Sequence, residues 1–335
     1  MKPRRNVTIR DVARHAGVSP ITASRALSKP ALVREETRLR VEESATILNF
    51  IPNQAAGILA NRRSNMVGVI VPTLSNSIFA DTIQAVADIL GPAGVQLLIG
   101  SNDYSPELEE QIIKTFISHR ADALILTGHS HTERAEHLIS EFRLPTVEMW
   151  NISDTSPHIC VGMSNWKASY EMTCHLISRG YRRIGYIGGL LENNDRSADR
   201  LRGYRDALAD NGISQDENIL RHCSFDFLRG AEAMRSLLAE PERPDCVFAA
   251  SDIIAFGALL ECQNSKISIP DDIALAGFDD ALIGSLAKPA LTTVRVPRRQ
   301  IGLKVGRLIM KLLDGEGDIE KIHDLGFELT IRDSA

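Results

Sequence analysis

The chain has 335 residues, of which 44% are hydrophobic and 24% charged, with 43 Asp and Glu against 38 Lys and Arg. That length leaves room for two or three domains, and the balance excludes a disordered class. The opening MKPRRNV has no apolar stretch of the signal-peptide kind and no run approaches the roughly 18 apolar residues of a membrane span, so a cytoplasmic protein with no membrane partner is expected.

The first elements lie between Val7 and Leu48. Thr8 is a candidate N-cap for a helix whose apolar residues Ile9, Val12, Ala13 and Ala16 share one face, and Gly17 ends it. Ser19 is placed to cap a second helix, since Pro20 at its first turn loses no hydrogen bond, and Ile21 to Leu27 continue it. Two short helices joined through a Gly-containing turn predict a helix-turn-helix, which by itself also fits any small helical hairpin. Charge separates these readings. Residues 1–63 carry twelve Lys and Arg against five Asp and Glu, so a head of +7 sits on a body of −12, the footprint of phosphate binding at one end. A third helix follows, with Leu39, Val41, Ala45, Ile47 and Leu48 expected to pack on the first two. After Pro52, the stretch Asn53–Ala60 predicts a short helix, marginal alone because of Gly57, and Asn61–Asn65 a polar linker.

From Met66 the pattern becomes strands alternating with helices. Strands are predicted near 67–72, 95–99, 121–126 and 145–149, then near 183–188, 245–249 and 272–277, with amphipathic helices before, between and after them. Two such series imply two doubly wound parallel-sheet subdomains with a cleft at the carboxyl ends of the strands. No GxGxxG follows a strand, no GxxxxGK[ST] occurs and no GxSxG elbow is present, so an enzyme is not expected. Cys160, Cys174, Cys223, Cys246 and Cys262 form no CxxC and read mostly as buried thiols. Neither Cys174-His175 nor His222-Cys223 has ligand spacing, so neither metal nor cofactor is expected. Polar residues do gather at the strand ends: Asn76, Ser251, Asp252, Asp279 and Asp280, with Arg196, Arg200 and Arg202 entering a helix and Phe79 and Phe225 nearby. Convergent Asp, Asn and Arg with aromatics suit a small hydroxylated ligand, whereas Asp252 alone also fits a cap for the helix starting at Ile253.

Read together, TIRDVARHAGVSPITASRALS, FIPNQAAGILA, VGVIVPTLSNSIFAD, RLRGY, ASD, IPDDIALAGFDD and PALTTVRVP resemble the lac-repressor/galactose-repressor family of bacterial transcription regulators over essentially the whole chain. The segments VPTLSNSIFAD, LILTGHSHT, ALLECQ and DLGFEL look most similar to its gluconate-utilisation branch. The resemblance implies a helix-turn-helix head (1–52), a hinge helix and linker (53–65) and a periplasmic-binding-protein-like core. In that core, 66–164 and 294–322 form one subdomain, and 165–293 and 323–335 the other. It implies double-stranded, pseudo-palindromic operator DNA as partner, read by Pro20, Ile21, Thr22, Ser24 and Arg25, with Thr8, Ser19 and Asn53 in phosphate or cap roles and Leu59 as a minor-groove wedge. Pro20 and Ile21 replace polar base-reading residues of several relatives, and Ser28 stands where several carry asparagine. It implies an effector held by Asn76, Phe79, Arg196, Arg200, Phe225, Ser251 and Asp279. Arg200 favours an anionic sugar acid such as gluconate, 6-phosphogluconate or 2-ketogluconate, because guanidinium grips carboxylate with two bonds. With no leucine-rich C-terminal helix after Leu329-Thr-Ile331, a homodimeric repressor is expected. A neutral-sugar or purine regulator and a sugar-binding protein that does not bind DNA are the alternatives.

Overall fold

The computed structural model describes residues 7–28, 30–51 and 63–335, which fall into two compact units divided after Ser64. The hinge-helix expectation, with Asn53 and Leu59, lies outside the described residues.

The head unit contains α1 (Ile9–Ala16), α2 (Pro20–Ser28) and α3 (Glu35–Ile47). At the start of α1 the Thr8 backbone N–H and hydroxyl both donate to Asp11, at 2.9 and 2.6 Å. Gly17 ends α1 at φ 67°, the left-handed conformation that glycine adopts without strain. Ser19 caps α2 by accepting the Thr22 N–H at 3.1 Å. Val12, Ala13, Ala16, Ala23, Ala26, Val41 and Ala45 form the buried core between these helices. One expectation for α3 is corrected: Leu39 and Ile47 are 52% and 57% exposed. The inward stripe of α3 runs through Val41, Ser44, Ala45 and Leu48, and Ser44 is tolerated inside because its hydroxyl donates to Arg40 O and meets the His15 ring.

The second unit opens with β1 (Met66–Val71), α4 (Ser77–Leu90), β2 (Gln96–Ser101), α5 (Pro106–Ser118), β3 (Ala123–Thr127), α6 (Glu133–Glu141), β4 (Thr146–Met149) and β5 (Ile159–Gly162). It continues with α7 (Asn165–Ser178), β6 (Ile184–Gly189), α8 (Asp195–Asp210), β7 (Leu220–Cys223), α9 (Phe227–Leu238), β8 (Cys246–Ala249), α10 (Asp252–Asn264) and β9 (Ala274–Asp279). The last elements are α11 (Leu282–Leu286), β10 (Thr292–Arg295), α12 (Arg298–Leu313), β11 (Ile322–Asp324) and β12 (Glu328–Thr330). Two six-stranded sheets result, in the orders β11-β5-β4-β3-β1-β2 and β12-β10-β9-β8-β6-β7, every pairing parallel except β10 with β12. Both orders reverse direction beside their first strand, and the crevice outside the carboxyl ends at such reversals is where doubly wound sheets bind ligands.

Backbone pairing shifts the expected subdomain borders by a few residues. Thr292–Arg295 pairs with β9 and so belongs to the second sheet, whereas Ile322–Asp324 pairs with β5 in the first. The crossovers therefore fall near 296–297 and 325–327, because edge strands follow ladder partners rather than apolar runs. Helix α12, absent from the sequence reading, packs on α4 and buries Ile301, Val305, Leu308 and Ile309.

Helix α8, which carries Arg196 and Arg200, is pinned against α7. Ser169 Oγ donates to Arg200 O at 2.5 Å, and a Cβ on Gly203 would fall 2.2 Å from Trp166 O. A methyl there cannot be accommodated without separating the two helices. We predict that Gly203→Ala lowers unfolding free energy by about 1–3 kcal/mol, read as an earlier urea midpoint, and an unchanged midpoint would refute this packing account.

Candidate functional site

Between the two subdomains lies a cleft lined by Asn76, Ile78, Phe79, Tyr104, Trp150, Asn194, Arg196, Ser197, Arg200, Phe225, Ser251 and Asp279. Its free volume is only about 20 Å³. All seven residues expected from the sequence to hold an effector stand on its walls. Asn76 and Phe79 come from the turn after β1 and the start of α4, Arg196 and Arg200 from α8, Phe225 from the loop after β7, Ser251 from the turn between β8 and α10 and Asp279 from the end of β9.

Arg200 is the most enclosed cation in the cleft. Its Nε donates to Asn165 Oδ1 at 2.8 Å and its Nη1 to Ala250 O at 2.7 Å, its plane lies 3.7 Å over the Phe278 ring, and its Nη2 is 3.8 Å from Asp279 Oδ1. Ser251 Oγ donates to Asp279 Oδ2 at 2.9 Å, while Asp279 Oδ1 has no hydrogen-bond partner among the described residues. Burial raises the Asp279 carboxyl above its ordinary range, and Arg200 and Ser251 oppose that rise. Asp279 and Asp280 both adopt positive φ, 110° and 51°, a conformation that costs energy outside glycine and gathers at functional turns. Arg196 Nη1 donates to Thr127 O at 3.1 Å and to Asp195 at 3.0 Å. Arg202, in contrast, is exposed and pairs with Asp199, so it does not line the cleft.

A hydrogen-bonded chain leads away from Arg200 into the other subdomain. Asn165 Nδ2 donates to Trp150 O at 2.9 Å and to Asn151 Oδ1 at 3.1 Å, and Asn151 Nδ2 donates back to Asp195 and Asp199 of α8 at 2.8 and 3.0 Å. On the crossover, Arg298 makes a second bridge, donating to Asp279 O at 2.6 Å and to Asp81 of α4 at 3.1 Å. Sequence reasoning missed Tyr104, Trp150, Asn194, Ser197 and Arg298. Tyr104 stacks on Phe225 with ring centroids 5.8 Å apart, and Trp150 meets Phe79 edge-on at 5.1 Å. Both follow strands, and position alone was the available signal.

Asp252 is neither a cleft wall nor the helix cap that the sequence allowed. It is the first residue of α10, and its carboxylate accepts the Thr293 hydroxyl at 2.7 Å and the Ala281 N–H at 2.6 Å. Asn76 does act as a cap, accepting the Ile78 N–H at 3.3 Å while facing the cleft.

In the head, Pro20, Ile21, Ser24, Arg25 and Ser28 form the exposed face of α2, with Thr22 at its edge. Ile21 is 66% exposed, and Arg25 has no hydrogen bond or ion pair among the described residues. The Ser28 hydroxyl turns back to Ser24 O at 2.7 Å. Thr8 and Ser19 stand exposed at the amino ends of α1 and α2, where N–H groups attract phosphate.

Burial, with the Asp279 charge beside it, raises the Asp252 carboxyl to about 8. A raised acid stabilises the fold fully below its unfolded value, near 4, and that contribution is lost as pH climbs towards 8. We predict that Asp252→Asn, fixed in the neutral form, loses less unfolding free energy between pH 5 and 8 than the parent, by up to about 1.4 kcal/mol per pH unit, read from urea midpoints. Equal slopes in both proteins would contradict it.

Comparison with known proteins agrees with this arrangement. The profile of bacterial regulatory proteins of the lacI family matches residues 8–53, and that of the periplasmic binding protein-like domain matches residues 173–335. The HTH-type transcriptional regulator GntR of Pseudomonas aeruginosa is 37% identical over 98% of this chain and 95% of its own length. GntR of Escherichia coli K12 is 33% identical over 98% of both. Among solved structures, a LacI-family regulator from Silicibacter pomeroyi superposes with TM-score 0.90 at 31% identity, covering 98% of this chain and 99% of that one. GntR from Chromobacterium violaceum superposes with TM-score 0.76 at 36% identity over 80% of this chain and 98% of that one. The chain belongs to the lacI family of bacterial transcription regulators and is not an enzyme.

Proposed function

We propose that this regulator is a homodimeric repressor of a sugar-acid catabolic operon, released from its operator when a small sugar acid of the gluconate, 6-phosphogluconate or 2-ketogluconate type enters the inter-subdomain cleft. The observation that carries the effector class is the pair of guanidinium groups inside one cleft, Arg196 and Arg200, only 7% and 6% exposed, with Asp279 as the one carboxylate among the lining residues. Arg196 already pairs with Asp195 at 3.0 Å, whereas Arg200 stands 3.8 Å from Asp279 without a hydrogen bond to it, which suits a ligand carboxylate at the guanidinium, and Asp279 Oδ1, without a hydrogen-bond partner among the described residues, suits a ligand hydroxyl. The relatives named GntR point the same way. Asn76 and Ser251 add polar contacts, and Phe79 and Phe225 pack the carbon chain.

In this reading Pro20, Ile21, Thr22, Ser24 and Arg25 meet base edges, and Ile21 offers an apolar surface for a thymine methyl. Thr8 and Ser19 orient the head on phosphates, as does Asn53, while Leu59 enters the minor groove. Ligand bound at Asp279 pulls the subdomains together through the Asn165–Asn151 chain and the Arg298 bridge. The two hinge segments then lose their shared grip on the operator centre. The effect is bounded by the difference in ligand affinity between the two states.

Two results are expected. By calorimetry, at least one of the three acids binds the full-length protein, and Arg200→Ala weakens it roughly ten- to a hundredfold, as loss of a charge-assisted contact of about 1.5–3 kcal/mol requires. Unchanged affinity, or binding only of a neutral sugar or purine, refutes the effector class. By fluorescence anisotropy on operator DNA, Arg25→Ala costs about 1–3 kcal/mol and relaxes preference at one base pair. A uniform loss over all sequences would make Arg25 a phosphate contact instead.

A further inference from the structure

A buried cluster in the first sheet takes no part in the effector reading. His129 and His131 come from the loop after β3, Glu148 from β4 and Cys160 from β5, and Glu109 reaches in from α5. Glu148 and Cys160 are register partners on neighbouring parallel strands, so the pleat aims both side chains to the same face of the sheet. The side chains of Glu109, Glu148 and His131 are only 2%, 1% and 2% exposed. His131 Nδ1 lies 2.5 Å from Glu109 Oε1, and His131 Nε2, which lacks a hydrogen bond among the described residues, lies 3.5 Å from Glu148 Oε1. On the other side of Glu148, His129 Nδ1 touches Oε2 and Cys160 Sγ stands 3.6 Å from the same oxygen.

Two carboxylates are thus held in the interior with imidazoles and a thiol as their side-chain partners, and neither meets a Lys or Arg among the described residues. Buried carboxylates need a compensating positive charge, and here it has to come from protons on the imidazoles or from a bound cation. The donor atoms of His129, Glu148 and Cys160 all lie within 4.8 Å of one another.

We propose that His129, Glu148 and Cys160 form a site for a divalent transition metal of zinc-like softness. Imidazole nitrogen, carboxylate oxygen and thiolate sulfur are the ligands such ions select, whereas magnesium and calcium call for oxygen alone. With metal–ligand bonds of about 2.0–2.3 Å, tetrahedral ligands stand roughly 3.3–3.7 Å apart. The Glu148–Cys160 separation already meets that spacing, and the His129–Glu148 contact opens by about an ångström to admit the ion. Binding expels the Cys160 proton, together with any proton on the coordinating His129 nitrogen, to solvent; no bond is made or broken in the chain and no electron moves. His131, wedged between Glu109 and Glu148, is a positioning residue that orients the metal-binding carboxylate. A water molecule completes the coordination. The same loop seats the effector arginine, since Arg196 Nη1 donates to Thr127 O two residues before His129.

The test is a Co2+ titration of full-length protein stripped with chelator. One Co2+ per chain is expected, with a near-ultraviolet thiolate-to-cobalt charge-transfer band that Zn2+ abolishes by displacement. Cys160→Ser removes the band, and His129→Asn weakens Co2+ binding at least about tenfold. Cys174→Ser with Cys223→Ser leaves the titration as in the parent. Absence of a thiolate band in the parent protein, or a band lost with Cys174 and Cys223 but not with Cys160, overturns the site. Should Cys160→Ser fail to fold, the parent titration and His129→Asn, on the loop, still decide it.

Discussion

The enclosure of Arg200 is the constraint on which the rest of the cleft depends. A guanidinium taken from water needs partners, and three different elements supply them: Asn165 at the start of α7 and the Ala250 carbonyl after β8 accept hydrogen bonds, and the Asp279 carboxylate at the end of β9 stands 3.8 Å away as the counter-charge. The Phe278 ring closes one face. Burial lowers the Arg200 pKa while the Asp279 charge holds it up, so the arginine stays charged beside a carboxylate that burial pushes towards neutrality. A ligand carboxylate or hydroxyl entering there changes the balance of that pair directly.

From this centre, hydrogen bonds run outward in both directions. Asn165 and Asn151 carry them to α8, and Arg298 ties the strained Asp279–Asp280 turn to Asp81 on α4. Asp280 is itself held by Arg295 and Arg332, at 2.7 and 2.6 Å, so the turn is anchored on two sides. Such a network has few intermediate arrangements, because losing one bond leaves a buried partner unpaired. That suits a switch with an open and a closed state rather than a graded response.

Much of this was legible in the sequence, for identifiable reasons. Asn76 and Ser251 follow apolar strands and Asp279 ends one, and in a doubly wound sheet all such ends face one crevice, so chain position implied convergence. The head was legible because Thr8, Gly17, Ser19 and Pro20 punctuate two helices. What escaped depends on tertiary contact. Tyr104 and Trp150 are ordinary aromatics until the fold brings Phe225 and Phe79 to them. Leu39 and Ile47 were assigned inward because they are apolar, but the phase of α3 that buries Val41 and Ala45 turns them out. Three-residue edge strands such as β11 and β12 carry no periodicity of their own. The His129–Glu148–Cys160 cluster was invisible for the same reason, since its members are spread over 32 positions and only the pairing of β4 with β5 joins them.

The central claim is that occupancy of the cleft and of DNA are coupled. The most direct measurement is operator affinity by fluorescence anisotropy with and without a saturating sugar acid, on DNA from upstream of the regulated genes. Coupling of about 1–3 kcal/mol predicts roughly 5- to 150-fold weaker DNA binding with the acid bound, and reciprocity demands the same factor in acid affinity when DNA is present. Identical operator affinity with the cleft demonstrably filled would contradict the account.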